Sequence, residues 1–245
     1  MFPGAATGKI SSYPHFQGRK IAQTIGADFL TFSDPGLSVS SKVATSWCTG
    51  TAEQNFFTEI PPIIRHFCGN RRILFMGISA GGVGALHFNS QFDNCISFVI
   101  NARTSLITPP SSFFASSKRL YPGLTIEQIE SILPLTPAEP SNDVVYAQNI
   151  NDHVYLAGNC LPYLREFTDS GKVYYILGNW AVGHYVMPRN ELLRYCETLI
   201  DADTVADVSG KLHLTSSASY NEVLRFAGEK MQRPNIIRKL REARN

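Results

Sequence analysis

Short apolar runs, each followed by turn residues, recur along the chain and predict buried β-strands. The predicted strands are 28–32, 73–76, 95–100, 144–148 and 173–177. Segments with apolar residues at helical spacing separate these runs, which favours parallel strands joined by helices. The pattern therefore indicates an α/β fold with a mostly parallel central sheet and helices on both faces.

Helical spacing of apolar residues is clearest in 53–67, where we interpret the aromatic stripe as core packing. Pro61 and Pro62 lie inside this segment and predict a kink or a break. Thr125 has the spacing of a capping box and opens a short helix. The predicted helices are 16–25, 53–67, 83–92, 125–133, 158–168 and 188–200.

Length and composition fit one globular domain. A chain of 245 residues with 44% hydrophobic content buries a core of ordinary size, and a net charge of +2 implies no nucleic-acid partner. No apolar stretch is long enough to span a membrane, and the first residues lack the regions of a signal peptide. Scattered cysteines without C-x-x-C spacing favour reduced, buried thiols in a cytoplasmic protein. They are Cys48, Cys68, Cys95, Cys160 and Cys196.

The order of these segments predicts a main domain at 1–200 and a polar helical appendage at 201–245. The appendage ends in the basic segment 238–244, which we interpret as a solvated tail or a packing surface, because no aromatic residues are interleaved. Residues 104–142 interrupt the alternation and are rich in proline and serine. Two interpretations stay open for this insertion, a lid over a functional site and a plain surface excursion.

The strongest chemical signal lies in 72–92. Here the predicted strand leads directly into Gly77-Ile-Ser79-Ala-Gly81, and a helical pattern follows. In such a strand–turn–helix unit the serine has a strained backbone, and the residues two positions away pass too close to each other for side chains. Ser79 is therefore the candidate nucleophile. The alternative is a glycine-rich turn whose serine caps a helix.

Two more candidates follow later strands. Asp152 comes after the strand 144–148, and His184 comes after the strand 173–177. The carboxyl ends of parallel strands meet at one edge of a sheet, which is where Ser79 is expected as well. A serine hydroxyl needs a base, histidine exchanges protons near neutral pH, and a carboxylate can orient the imidazole and stabilise its charged form.

Rival residues exist for both roles. His153 is adjacent to Asp152, so the two side chains are expected to point in different directions, and Asp143 precedes a strand instead of following one. We therefore prefer His184 and Asp152. Of the remaining histidines, His15 is a candidate for lining the site because it is close to the first loop. The others are interpreted as surface or core residues: His66, His87 and His213.

The G-x-S-x-G motif and the chain order Ser79, Asp152, His184 resemble the α/β-hydrolases. The resemblance covers most of 2–200. It implies an α/β-hydrolase fold, a catalytic triad of these three residues and an acyl-enzyme on Ser79.

The same resemblance implies an oxyanion hole. It would combine the N–H of Ala80 with one N–H from Gly4, Ala5 or Ala6, in the glycine-rich loop at the start of the chain. The family has two to three strands before this loop, whereas this sequence has almost none before it. We therefore expect the N-terminal strands to be reduced or missing, which leaves open that the sequence begins inside a longer ancestor.

A second resemblance rests on four short motifs. They are similar to motifs of uncharacterised hydrolases found with bacterial surface-polysaccharide genes, which implies that acyl groups on glycans are added or removed. The motifs are Trp47-x-x-Gly50-Thr-x-Glu-Gln54, Ser79-Ala-Gly-Gly82, Asn149-x-Asn-Asp152 and Asn179-Trp-x-x-Gly183-His184.

Together these features predict a serine esterase that hydrolyses small or medium carboxylic acyl esters. Alternatives stay open: an O-acyltransferase or deacetylase acting on a glycan, a peptidase or thioesterase, and a non-catalytic scaffold that binds a partner. The expected substrate is an acyl ester or an acylated glycan. No spacing of a metal site, phosphate loop or dinucleotide site occurs, so neither metal nor cofactor is expected. The candidate substrate-pocket residues are His15, Phe113, Phe114 and Tyr121.

Overall fold

A computed structural model describes residues 1–6, 13–107 and 113–217. Its centre is a five-stranded sheet in which neighbouring strands follow one another in chain order. Strands β1 (Gly50–Thr51) and β2 (Gln54–Asn55) form a separate small hairpin. The strands of the main sheet are β3 (Ile73–Ile78), β4 (Cys95–Ile100), β5 (Val144–Asn149), β6 (Val173–Gly178) and β7 (Thr215–Ser216). Strands β3 to β6 are parallel and β7 is antiparallel, so the predicted α/β fold class is confirmed.

Helices cover both faces of the sheet, as the apolar pattern predicts. One face packs α3 (Phe56–Cys68), α4 (Gly82–Asn89) and α8 (Leu161–Glu166), and the other packs α1 (Arg19–Ile25), α9 (Arg189–Asp201) and α10 (Val205–Leu212). Shorter helices are α2 (Gly36–Val39), α5 (Phe113–Leu120), α6 (Ile126–Ile132) and α7 (His153–Tyr155). Within the described ranges, no helix has the length and apolar character needed to cross a membrane.

The two central strands explain why the core divides into two layers. Every residue of β4 and β5 is buried, and side chains alternate between the faces along each strand. In β4, for example, Phe98 packs on α9 through the ring of Tyr195, whereas Val99 belongs to the layer on the opposite face. Continuous burial on both faces favours the mainly apolar runs seen in the sequence.

The predicted strand at 28–32 is wrong, because this segment has no regular secondary structure and forms no ladder with the sheet. Residues Met1 and Phe2 lie between it and β3. The terminal amino group of Met1 donates to the Leu30 carbonyl at 2.7 Å, and the Phe2 N–H donates to the Met76 carbonyl at 2.8 Å. Met1 and Phe2 thus separate this segment from β3.

The prolines in α3 do not break it, which excludes one of the two outcomes predicted for 53–67. The helix runs without interruption through Pro61 and Pro62. Its apolar face includes Phe57, Ile60 and Ile64, all buried. Burial of this face offsets the two helical hydrogen bonds that the prolines remove.

The insertion 104–142 packs into the domain where the structure describes it. Phe113 is fully buried against the Trp47 ring, at a centroid distance of 5.6 Å. The Tyr121 hydroxyl lies 2.9 Å from the hydroxyl of Thr49. The capping box predicted at Thr125 is present at the start of α6. This packing favours a structural role for the insertion, and its function as a lid stays a prediction.

The chain continues into the domain beyond residue 200. Val205 and Leu212 of α10 are fully buried against the sheet, and the Leu212 carbonyl accepts a hydrogen bond from the Tyr195 hydroxyl at 2.7 Å. Strand β7 then pairs with β6. Residues 201–217 therefore belong to the sheet domain, and the rest of the predicted polar appendage lies outside the described residues.

A partly buried histidine makes stability depend on pH. Burial lowers the pKa of His87 from its ordinary 6.5 to about 4, and its ring packs 4.1 Å from that of Phe57. Between these pH values the unfolded chain binds a proton that the folded protein does not, so stability falls as the pH is lowered from 6.5 towards 4. From pH 6.5 to pH 5 this histidine removes roughly 1.5 kcal/mol of unfolding free energy.

We expect His87→Gln to flatten this part of the pH profile, as measured by urea unfolding at pH 6.5 and pH 5. His66 is exposed on α3, so His66→Gln serves as the matched control and should retain the wild-type slope. Equal slopes in wild type and His87→Gln would show that His87 is not the source.

Candidate active site

Ser79 lies at the turn between β3 and α4 with a φ of 53°, in the left-handed region that residues other than glycine seldom adopt. A Cβ added to Gly77 would lie 2.3 Å from the Gly81 carbonyl oxygen. This is the close approach that the G-x-S-x-G spacing predicts, so the expected turn geometry is confirmed. The role of Ser79 as a nucleophile stays a prediction.

Three segments pack against this turn and hold its strained backbone. A Cβ on Gly81 would lie 2.4 Å from the Phe2 carbonyl oxygen, and one on Gly82 would lie 2.4 Å from a side chain in the loop after β4. In the same loop, the Arg103 N–H donates to the Ser79 carbonyl at 2.8 Å. The N-terminal segment, β3 and the loop after β4 therefore all meet at the turn.

Asp152 and His184 form a hydrogen-bonded pair at the same edge of the sheet, between Asp152 Oδ2 and His184 Nδ1. Because Nδ1 donates to the carboxylate, Nε2 is the ring nitrogen left to accept a proton. The Asp152 side chain is only 6% exposed and the His184 side chain is 39% exposed. A buried carboxylate thus orients a ring that solvent can reach.

The loop that carries His184 has no regular secondary structure, and two buried asparagines hold it. Asn149 ends β5 and donates from its side chain to two carbonyl groups of the loop, each at 2.8 Å. Asn101 follows β4 and donates to the Tyr185 carbonyl at 2.7 Å. The Asn101 side-chain oxygen also accepts the Asn149 backbone N–H at 2.7 Å, so the two asparagines act as one unit.

Tyr155 contacts both the serine and the histidine. Its hydroxyl is 3.5 Å from Ser79 Oγ, at the outer limit of a hydrogen bond, and its ring centroid is 4.2 Å from that of His184. The guanidinium of the buried Arg103 lies 5.3 Å from the same ring. Among the described residues, no hydrogen bond joins Ser79 directly to His184. The structure therefore brings the three predicted catalytic residues to one edge, with a tyrosine in contact with two of them.

Sequence reasoning missed both Tyr155 and Arg103. Tyr155 is the third residue of the helix that Asp152 caps, and its N–H donates to Asp152 Oδ1 at 3.2 Å. That spacing is a signal for the cap but carries no information about which residue the tyrosine side chain meets. Arg103 follows β4 by three positions, at the edge where functional residues gather.

The predicted oxyanion donors differ in whether their N–H groups already have an acceptor. The Gly4 N–H donates to the side chain of Gln17 at 3.2 Å, and the Ala6 N–H donates to a backbone carbonyl at 2.8 Å. The N–H groups of Ala5 and Ala80 have no acceptor in the described part of the chain. Ala5 and Ala80 are thus the pair that fits the prediction best.

The rival acid and base lie elsewhere. Asp143 accepts the Val205 N–H at 2.9 Å, at the opposite end of β5 from Asp152. His153 begins α7, and its Nδ1 is buried with no hydrogen-bond partner among the described residues.

The predicted pocket residues do not form one group. Phe113 and Tyr121 are fully buried in the core and expose no surface to a substrate, whereas Phe114 packs against that core while partly exposed. The His15 N–H donates to the Ser33 hydroxyl at 2.9 Å. A substrate-binding role for these four residues stays a prediction.

A cavity of about 530 Å³ lies beside β3 but away from this site. Its walls include Leu74 of β3, Leu30 of the segment 28–32 and Ile25 of α1. Ser79 follows the other end of β3 and does not line it. In the residues that the structure describes, no group of three or more histidine, cysteine or acidic side chains could hold a metal ion.

Comparison with known proteins gives one structural likeness. No family model matches the chain, and no curated protein matches it. The solved structure of the capsule O-acetyltransferase of Neisseria meningitidis serogroup A superposes with a TM-score of 0.57 and 16% identity. The match covers 82% of this chain and 85% of that one. At this identity the likeness concerns the fold, and function has to be argued from the site.

We expect Asn149→Ala to loosen the histidine loop, because it leaves two loop carbonyls without their donor. The loss of buried hydrogen bonds should lower the unfolding free energy by about 1–3 kcal/mol, as measured by urea unfolding. Asn179→Ala is the matched control, since Asn179 is exposed and, among the described residues, its side chain bonds only that of Asn151. An equal loss in the two variants would show that Asn149 does not hold the loop.

Proposed function

We propose that this protein is an O-acyltransferase that moves an acyl group to a hydroxyl of a glycan through an acyl-enzyme on Ser79. The observation that carries the proposal is the Asp152–His184 pair at the edge of the sheet where Ser79 occupies a strained turn. A protein that only binds a partner has no use for such a turn, whose strained backbone costs about 1–3 kcal/mol.

The first half of the reaction acylates the serine. Ser79 Oγ attacks the carbonyl carbon of the acyl donor while His184 Nε2 takes the hydroxyl proton. The N–H groups of Ala80 and Ala5 would hold the negative oxygen of the tetrahedral intermediate. The bond to the leaving group then breaks, and His184 returns the proton to the departing atom. For the initial proton transfer, Ser79 Oγ has to turn from Tyr155 towards His184.

The second half reverses these movements with a new hydroxyl. The acceptor gives its proton to His184 Nε2, and its oxygen forms a bond to the acyl carbon. The bond between that carbon and Ser79 Oγ breaks, and Ser79 recovers the proton. With a sugar as acceptor the result is acyl transfer, and with water it is ester hydrolysis.

Transfer to a glycan is supported by the structural neighbour, whose name states that it is a capsule O-acetyltransferase. The polysaccharide-related motifs around Ser79, Asp152 and His184 favour the same class of acceptor. Hydrolysis by a serine esterase is the second candidate, and the 39% exposure of His184 favours it because water can reach the base.

We also propose a cytoplasmic location. Its support is the state of the thiols, since all five cysteines are free. Measuring the protein in cell fractions tests this directly, and recovery outside the cytoplasm would overturn it.

Loss of the nucleophile, the base or the orienting acid should have graded effects. We expect Ser79→Ala and His184→Ala each to reduce hydrolysis of p-nitrophenyl acetate by several orders of magnitude. Asp152→Asn should cost somewhat less. A fluorophosphonate probe should label Ser79 in the wild type and nothing in Ser79→Ala. His153→Ala is the control and should retain activity, and an inactive His153→Ala beside an active His184→Ala would reverse the choice of base.

The fate of the acyl group distinguishes acyl transfer from ester hydrolysis. Purified protein should be incubated with p-nitrophenyl acetate or acetyl-coenzyme A and with a panel of de-O-acetylated bacterial polysaccharides. We expect new O-acetyl signals in the NMR spectrum of at least one glycan, absent with Ser79→Ala. Release of acetate alone, in the presence of every glycan, would assign hydrolysis instead.

A further inference from the structure

Tyr155 contacts both reactive side chains of the site, and no role in the reaction has been given to it so far. Its hydroxyl is 3.5 Å from Ser79 Oγ, and its ring lies 4.2 Å from the His184 ring at an interplanar angle of 38°. The side chain therefore occupies space beside both the nucleophile and the base. In deacylation the incoming hydroxyl has to reach this same space, because it must contact His184 and the acyl carbon on Ser79 together.

The tyrosine is held from several directions. Its backbone N–H donates to Asp152, and the π-helical turn Leu156–Cys160 follows it directly. In that turn, the side chain of the buried Asn159 accepts the Thr104 N–H at 3.1 Å, which ties the turn to the loop after β4. The Arg103 guanidinium stands 5.3 Å from the tyrosine ring. Tyr155 is thus part of a packed unit, and its ring has a defined position over His184.

We propose that Tyr155 is the specificity-determining residue that selects the hydroxyl attacking the acyl-enzyme. The inference rests on the proposed acyl transfer. An aromatic ring against one side of the partly exposed base restricts the directions from which water can approach it, whereas the apolar C–H face of a sugar packs well on such a ring. The acyl-enzyme would then survive until a glycan hydroxyl arrives.

The step itself leaves Tyr155 unchanged. The acceptor hydroxyl gives its proton to His184 Nε2, its oxygen bonds to the acyl carbon, and Ser79 Oγ leaves that carbon and recovers the proton. Tyr155 gains and loses no proton overall. Its effect is on which hydroxyl reaches the base, so it should appear in deacylation more than in acylation.

The test measures the two half-reactions separately. With p-nitrophenyl acetate, the burst of nitrophenol reports acylation, and the decay of acetyl-Ser79 in buffer, followed by intact-protein mass spectrometry, reports hydrolysis of the acyl-enzyme. We expect Tyr155→Ala to accelerate this decay about tenfold while the burst amplitude is retained. Tyr155→Phe retains the ring and should stay within about twofold of the wild-type decay. Tyr185→Phe, an exposed tyrosine beside His184, is the control and should match the wild type.

The outcomes separate this inference from the proposed function. Absence of acetyl-Ser79 in the wild type overturns the proposed chemistry and this inference with it. Formation of acetyl-Ser79 with an unchanged or slower decay in Tyr155→Ala overturns the inference alone. A Tyr155→Phe variant that decays as fast as Tyr155→Ala would overturn the role of the ring. Should Tyr155→Ala fail to fold in a thermal melt, Tyr155→Leu takes its place, with a faster decay expected and an unchanged decay again overturning the inference.

Discussion

The close backbone contact at the Ser79 turn is the constraint on which the rest of the site depends. Ser79 has its strained φ of 53° only because Gly77 and Gly81 lack side chains where the backbone meets itself. The Phe2 carbonyl and the loop after β4 fill the remaining space around the turn. A side chain at Gly77 would meet the Gly81 backbone, and one at Gly81 would meet the N-terminal segment, so the candidate nucleophile between the two glycines would move.

Around this rigid turn the other groups are held by buried polar side chains instead of by regular secondary structure. The loop with His184 depends on Asn149 and Asn101, whose amides bond both the loop and each other. Both amides are fully buried, so water does not compete for these bonds. The His184 ring can therefore be partly exposed to solvent and still keep a defined orientation.

The sequence predicts the parallel sheet well because its central strands are mainly apolar, as 95–100 illustrates. The strand prediction fails at 28–32, because a short apolar run predicts a strand whether or not a partner strand lies beside it. The candidate site is likewise predicted only where a local pattern marks a residue. Asp152 and His184 are visible because they follow strands, whereas the contact of Tyr155 with Ser79 spans 76 positions and depends on how a short helix is oriented. No local pattern records that orientation.

Asp152 serves two purposes with one carboxylate, and this shapes how the protein can change under mutation. One oxygen orients His184, and the other caps the helix that carries Tyr155. Asparagine caps helices as well as aspartate does but cannot supply the negative charge. Under the proposed mechanism, a mutation that replaces Asp152 by asparagine yields a folded protein that keeps Tyr155 in place but has impaired catalysis. Loss of activity is thus a short evolutionary step, separate from loss of the fold.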